Sequence, residues 1–249
     1  MNLHRELNLR FLSAKHRIKI YLFLKIMSLL KSAFPHEAYE HLHGFLRSKF
    51  LRKSSGILHI GASFGQEAPT YSMLDKKVIW VEAIPKVFNE LRKNISVYPK
   101  QAAINALLGD ATCDKLFYLT NNNFMSSSTY TLNEMSKFQN DFQVVETINL
   151  QAIRLDELFT SNQILGYSHW VIDVQGAELD VLYGAGERLH HCQSIEIECT
   201  NFNVYDDAPQ LDEISAYLEA RGFTRLLDPP NNFHGDVIFC RVELSPIIE

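Results

Sequence analysis

From residue 57 onward, short apolar runs alternate with segments of helical period. Ile57–Ile60, Val78–Val81, Ala102–Leu108, Leu116–Leu119, Gln143–Leu150, His169–Val174, Ser194–Glu198 and Asp236–Val242 read as strands, short and rich in branched or aromatic side chains. Between them, 67–75 and 85–97 carry helical patterns. The second places Val87, Phe88, Leu91 and Ile95 on one buried face and opens on Pro85, a residue suited to a first helical turn. Leu155–Leu158 starts a short helix, a further helix follows Glu178, and Leu211–Arg221 is closed by Gly222. Strands alternating with helices imply an α/β fold with a mostly parallel sheet covered on both faces.

The first 53 residues follow a different pattern. Leu3, Leu7 and Phe11 recur at helical spacing. The stretch from Ile18 to Leu30 is apolar almost all round, broken by Lys19 and Lys25 and striped by Tyr21, Lys25, Ser28 and Ser32. Pro35 ends that helix, and a second one over about 36–52 gathers Tyr39, Leu42, Phe45, Leu46 and Phe50 on one side. The 13 residues from 18 to 30 are too few to span a bilayer, which takes about 20 apolar residues.

Composition leaves room for one large core plus an appendage: 249 residues, 46% apolar and 21% charged, with no low-complexity tract. Charge distribution separates the two parts further. Residues 1–53 hold 11 Lys/Arg against 3 Asp/Glu, and residues 54–249 hold 13 against 26. A basic helical arm therefore precedes an acidic α/β unit, dividing the chain into 1–53 and 54–249. The arm reads as a helical cap packed on the main unit, as an interfacial helix drawn to anionic lipid, or as a self-association surface; flotation with anionic liposomes tests the second. The acidic unit argues against nucleic acid as partner. Cys113, Cys192, Cys199 and Cys240 are far apart with no CxxC, which suits a reduced, cytoplasmic protein, at the inner face of the membrane if the arm docks there.

The chemistry begins at His59-Ile-Gly-Ala-Ser-Phe-Gly-Gln-Glu67, a strand running into a glycine turn, followed by a second strand ending at Glu82. Gly61 and Gly65 permit a tight turn and close backbone approach. Glu82 falls about 20 residues on, where a carboxylate accepts the two hydrogen bonds of a ribose diol. The spacing is Gly-x-x-x-Gly rather than Gly-x-Gly-x-x-Gly, and Ala62-Ser63-Phe64 fill the turn. A dinucleotide needs the middle glycine to bring its pyrophosphate onto the helix N-terminus. The pattern therefore favours S-adenosylmethionine over a nicotinamide cofactor. A nicotinamide-dependent oxidoreductase and a non-catalytic binding protein of the same fold share this start.

With Val81-Glu-Ala-Ile-Pro85, the Ser126–Ser128 run and Ile172-Asp-Val-Gln-Gly-Ala-Glu-Leu-Asp-Val-Leu182, followed by Gly184-Ala185, the chain resembles the FkbM family of S-adenosylmethionine-dependent methyltransferases over about 56–242. The family's first motif more often begins with Asp and carries Asn after Gly-Ala; here His59 and Ser63 stand there, as in a branch of the family with His at the first position. The resemblance implies a Rossmann-like, seven-stranded sheet of the class I methyltransferase type. It also implies methyl transfer to oxygen, commonly a sugar or glycan hydroxyl, which a lipid-linked acceptor would join to the basic arm. It places the cofactor against His59, Gly61, Ala62, Ser63, Gly65, Glu67, Glu82, Ala83, Asp173, Val174 and Gln175.

A sugar hydroxyl is a very weak acid, so a positioned base is required. Asp173 ends the central strand, His234 has the most suitable ordinary pKa, and Glu198 is the third candidate; each also has a structural role open to it. Asp173 could cap the next helix, and His234 could be a polar turn residue in Asn231–Gly235. Glu178 could be a solvated first-turn acid favoured by the helix dipole. Glu196 and Glu198 share a strand face, so one of them could serve the sheet alone. Asn201–Asp207, with aromatic and amide side chains after a strand, suits a sugar face or an ordinary surface loop. No ligand spacing demands a metal.

Overall fold

The computed structural model describes residues 36–133, 142–200, 204–227 and 234–241. The apolar helix expected at 18–30, the loop residues Asn201–Asn203 and Asn231–Phe233, and Val242 lie outside the described residues. So does the side chain of Tyr39.

Two sheets are present. The larger uses β1 (Ile57–Ile60), β2 (Val78–Glu82), β3 (Gln101–Asn105), β7 (His169–Ile172), β8 (Ser194–Thr200), β9 (Phe223–Arg225) and β10 (His234–Arg241), in the order β3-β2-β1-β7-β8-β10-β9. All neighbours run parallel except β10, which is antiparallel to both β8 and β9. This is the Rossmann-like seven-stranded architecture. β1 and β7 read Ile-Leu-His-Ile and His-Trp-Val-Ile and are buried at every position, as expected of central parallel strands covered on both faces. The chain leaves β1 towards β2 and β3, and leaves β7 in the opposite direction towards β8. The C-terminal ends of β1 and β7 are thus the switch point, where an open α/β sheet leaves a crevice.

The smaller sheet, β4 (Leu107–Leu108), β6 (Val144–Ile153) and β5 (Cys113–Thr120), stands outside the main one. The run expected as one strand from Ala102 to Leu108 breaks at Ala106. The Asn105 side-chain amide donates to the carbonyls of Glu82 and Ala83, Ala106 N–H donates to Glu82 O, and Leu107–Leu108 turn away to pair with β6. Hydrophobicity alone does not show the break, because both halves are equally apolar. Leu107, Phe117, Leu119 and Ala152 pack against Ile84 and Val87, so the small sheet becomes a wall beside the switch point. β9 is only three residues long and has no strand signature in the sequence.

The helices are α1 (His36–Lys53), α2 (Ala68–Met73), α3 (Pro85–Ile95), α4 (Leu155–Leu158), α5 (Ser161–Ile164), α6 (Glu178–Ala185) and α7 (Leu211–Glu219). α3 buries Val87, Leu91 and Ile95, spaced four apart as a helix stripe requires. Among the described residues, no helix is long and apolar enough to cross a membrane.

α1 docks on the main sheet. Leu46 and Phe50 enter the largest apolar cluster and Leu51 enters a second with Tyr71 and Trp80. Between them Arg47 reaches Glu196 of β8, Nε to Oε1 2.5 Å, and the other Glu196 oxygen is 3.7 Å from His169 Nε2. Burial alone would raise the Glu196 pKa, but His169 and Arg47 outweigh it and hold the carboxyl at about 2. Removing one member of such a pair strands a buried charge and costs about 3–5 kcal/mol. Arg47→Met is therefore expected to lower stability at pH 7 by about 3 kcal/mol, read from urea denaturation. In the parent protein this contribution is complete above the ordinary Glu value of 4.5 and is lost as pH falls through about 2. Equal stability of parent and variant at pH 7 would show that the pair contributes nothing net.

Candidate active site

Two turns form the floor of the cleft. After β1 the chain turns at Gly61 (φ 80°), Ser63 (φ 46°) and Gly65 (φ 74°); after β7 it turns at Gln175 (φ 57°) and Gly176 (φ 99°). Gly61 lies directly against the second turn: a Cβ there would fall 1.7 Å from the carbonyl oxygen of Asp173. Asp173 N–H in turn donates to Ile60 O at 2.9 Å. The two turns touch through backbone alone, and no residue but glycine leaves the space.

Glu82, at the end of β2, fastens the first turn. Its Oε2 accepts from Ser63 N–H at 2.9 Å and its Oε1 from Ile84 N–H at 2.8 Å. The side chain is 6% exposed, and burial pushes its pKa up to about 7 despite those two bonds. Each carboxylate oxygen has a second lone pair, so Glu82 can shape the turn and still accept from a ligand hydroxyl. The sequence suggested only the latter role.

Around these turns lies a cleft open to solvent. His59, Gly61, Ala62, Ser63, Glu67, Glu82, Ala83, Asp173, Val174 and Gln175 all line it. Gly65 does not. A Cβ at Gly65 would meet Leu91 Cδ1 at 2.7 Å, so this glycine serves the packing of the turn on α3. His59 contributes to the wall from a buried position: Nδ1 is 3.2 Å from Tyr71 OH, and the ring stacks on Trp80 at 4.7 Å. Burial drives its pKa down to about 3, so it is neutral at physiological pH.

Sequence reasoning missed the opposite wall. Ala106, Leu107, Leu108 and Phe117 come from the break after β3 and from the small sheet, and Phe124 and Met125 from the 121–130 loop. The polar character of that loop signalled a ligand-facing segment, but its two apolar residues gave no separate sign. A second, smaller cavity adjoins the first and shares Gln175; Glu178, Glu198, Tyr205, Gln210 and His234 line it. The three acid–base candidates therefore sit at one junction, Asp173 in the larger cavity, Glu198 and His234 in the smaller.

The hydrogen bonds there assign roles. Asp173 does not cap α6. No side chain caps it; Glu178, its first residue and 3% exposed, folds back onto the preceding turn, with Oε1 accepting from Gly176 N–H at 3.0 Å and from Val174 N–H at 3.2 Å. That disposes of the solvated first-turn reading of Glu178, whose pKa burial lifts to about 7. Gln175 Nε2 donates to Asp173 Oδ1 at 2.8 Å and, over a very short contact, to Glu198 Oε2. Burial and the neighbouring Glu198 carboxyl raise the Asp173 pKa well above its ordinary value, and burial raises that of Glu198 to about 7. Asp236, opposite Glu198 in the β8–β10 register, is raised to about 7 by burial and by Glu196 and Asp173. His234 Nε2 stands 3.5 Å from Glu198 Oε1, with the imidazole about half exposed; burial lowers its pKa. Among the described residues, no Lys or Arg lines either cavity. Such a site suits a cationic ligand and a group that must lose a proton.

Residues 59–225 match the family described as methyltransferase FkbM domain. No curated protein sequence matches the chain. Among solved structures, magnesium protoporphyrin IX methyltransferase from Synechocystis PCC 6803 with bound SAH aligns at 8% identity and TM-score 0.43, covering 83% of this chain and 82% of that one. A SAM-dependent methyltransferase from Aquifex aeolicus aligns at 10% identity and TM-score 0.42, covering 88% and 96%. Aeropyrum pernix fibrillarin in complex with S-adenosyl-L-methionine aligns at 14% identity and TM-score 0.41, covering 76% and 67%.

Gly61→Ala tests the contact between the turns. With φ at 80° and a 1.7 Å clash against backbone, the expected loss exceeds about 3 kcal/mol. It should appear as a lower melting temperature or as failure to fold. A variant as stable as the parent would contradict the described geometry.

Proposed function

Because the chain belongs to the methyltransferase FkbM family, we propose that it moves a methyl group from S-adenosylmethionine to a hydroxyl oxygen of a sugar or glycan. The observation that carries this reading is the cleft itself: a glycine turn and a ribose-ready carboxylate on one side, and an acid pair at the switch point on the other.

The residues present fit the cofactor. The cleft's lining carboxylates, Glu67, Glu82 and Asp173, face no lining Lys or Arg among the described residues, which suits a ligand with an ammonium and a sulfonium group. Glu82 would hold the ribose hydroxyls, the turn from Gly61 to Ser63 the amino-acid part, and Ala106, Leu107, Leu108 and Phe117 the base. When bound, S-adenosylmethionine supplies an electrophilic methyl on sulfur. The chain's part is to align the acceptor oxygen and take its proton. Asp173 and His234 carry the proton work, with Glu198 between them. Tyr205 and Gln210 give the smaller cavity an aromatic ring and an amide, side chains of the kind that meet a polyhydroxylated acceptor.

Calorimetric titration tests the cofactor assignment: S-adenosylhomocysteine should bind and NAD should not. No heat with S-adenosylhomocysteine would end this reading. Glu82→Ala should weaken that binding by about 1.5–3 kcal/mol. In the parent, affinity should rise with pH through about 7 as Glu82 ionises, because only the carboxylate accepts both ribose hydrogen bonds. Affinity independent of pH between 6 and 8 would remove Glu82 from the ribose.

For the transfer step, mass spectrometry of glycans from host cells lacking the gene should show one missing methyl. Expression of the parent should restore it and Asp173→Asn should not, while that variant keeps its affinity for S-adenosylhomocysteine within about threefold. Restoration by Asp173→Asn would reduce Asp173 to a structural residue.

A further inference from the structure

Tyr205 lies outside the stretches that carry the family resemblance, yet its hydroxyl ends the hydrogen-bond chain through the acid–base junction. It follows β8 and is 4% exposed. Its hydroxyl contacts Gln175 Oε1 at 2.9 Å and the backbone oxygen of Ser126 at 3.1 Å. Leu132, beyond the 121–130 loop, forms a bridge with Tyr205 itself, and Thr131 and Asn133 bond Asp206. The ring rests on the second turn, where a Cβ at Gly176 would lie 3.0 Å from Tyr205 Cδ2. The residue therefore joins three pieces: the 121–130 loop, the second turn and the segment after the strand bearing Glu198.

The consequence concerns Gln175. An amide can present either its oxygen or its NH₂ to a neighbour, and the two carboxyls of Asp173 and Glu198 need the NH₂. Tyr205 has one hydroxyl hydrogen and two acceptors; given to Oε1, the nearer at 2.9 Å, that hydrogen leaves the NH₂ to the two carboxyls. One amide group then serves two acids that lie close enough to repel each other when both are ionised. Two carboxyls in that position hold a single proton between them.

On the reading of the cleft as a methyl-transfer site, we propose that Tyr205 is a positioning residue: through Gln175 it locks Asp173 and Glu198 into a one-proton pair that serves as the base for the acceptor hydroxyl, with His234 as the outlet. The ionised member takes the hydroxyl proton as the acceptor oxygen bonds the methyl carbon and the carbon–sulfur bond breaks, its electron pair remaining on sulfur. The proton then passes from Glu198 to His234, 3.5 Å away and open to solvent. Glu178 from α6, Asp236 from β10 and Glu67 before α2 also face this pair, and their charge acts on the same proton.

The pair gives the two cofactor forms different proton counts. A sulfonium beside it lowers the pH at which the pair sheds protons, whereas the neutral thioether of S-adenosylhomocysteine does not. Titrating the full chain with each ligand in buffers of different ionisation enthalpy, between pH 6 and 8, counts the protons. The expected result is greater release with S-adenosylmethionine. In Tyr205→Phe, which keeps the ring, the pH midpoint of that difference should rise by about half a unit or more, because the ionised pair loses an oriented donor. Affinity for S-adenosylhomocysteine should stay within about threefold. A Tyr205 that only packs would lower the melting temperature and leave the midpoint in place, which overturns its role. Equal proton release with both ligands in the parent overturns the pair even if Tyr205→Phe cannot be made. Absence of binding by either ligand would instead defeat the methyltransferase reading itself.

Discussion

The site depends on a place where two backbones touch. Gly61 and the Asp173 carbonyl are packed so tightly that a single added carbon would overlap the oxygen. That contact sets the separation of the turns after β1 and β7, and therefore the distance between the glycine turn and the acids at the switch point. Parallel pairing of β1 with β7 brings the turns together in register. The Asp173 N–H bond to Ile60 continues that ladder one step past the strand. Glu82 adds the third side by tying the first turn to the end of β2. The fold thus fixes the relative placement of Ser63, Glu82 and Asp173 with backbone geometry, which is stiffer than any arrangement of side chains alone.

Two glutamates on one strand show how environment assigns different work. Glu196 and Glu198 point to the same face of β8, two residues apart. Glu196 meets Arg47 and His169 and stays ionised far below neutral pH. Glu198 meets Asp173, Gln175 and a half-exposed histidine, and its proton comes off near neutrality. Burial acts on both; the difference is His169 of β7 together with the cation brought by α1, a helix that precedes the family match. His169 and Arg47 thus hold one acid as a structural anchor, and the next has no such partners.

Much of the framework could be read in the sequence because each signal had a local cause. Parallel strands covered on both faces produce the uninterrupted apolar runs at 57–60 and 169–172. Gly61 and Gly65 marked a turn, although only Gly61 lines the cleft. The acid at 82 was placed on a ribose from its spacing. Its grip on Ser63 N–H was hidden, because that bond joins residues 19 apart through a turn whose shape no pattern encodes. The break at Ala106, the separate small sheet and the apolar wall from Leu107 to Met125 were equally hidden, since hydrophobicity shows that a residue is buried and not which sheet buries it. Tyr205 was placed in an aromatic, amide-bearing loop; its real partners lie 30 and 79 positions away.

The most direct test is a structure of the full chain bound to S-adenosylhomocysteine. The account predicts the ribose hydroxyls on Glu82, the amino-acid portion over the turn from Gly61 to Ser63, and the thioether sulfur facing Asp173 where the larger cavity meets the smaller. A ligand seated elsewhere, or one whose sulfur faces away from Asp173 and Gln175, would contradict it.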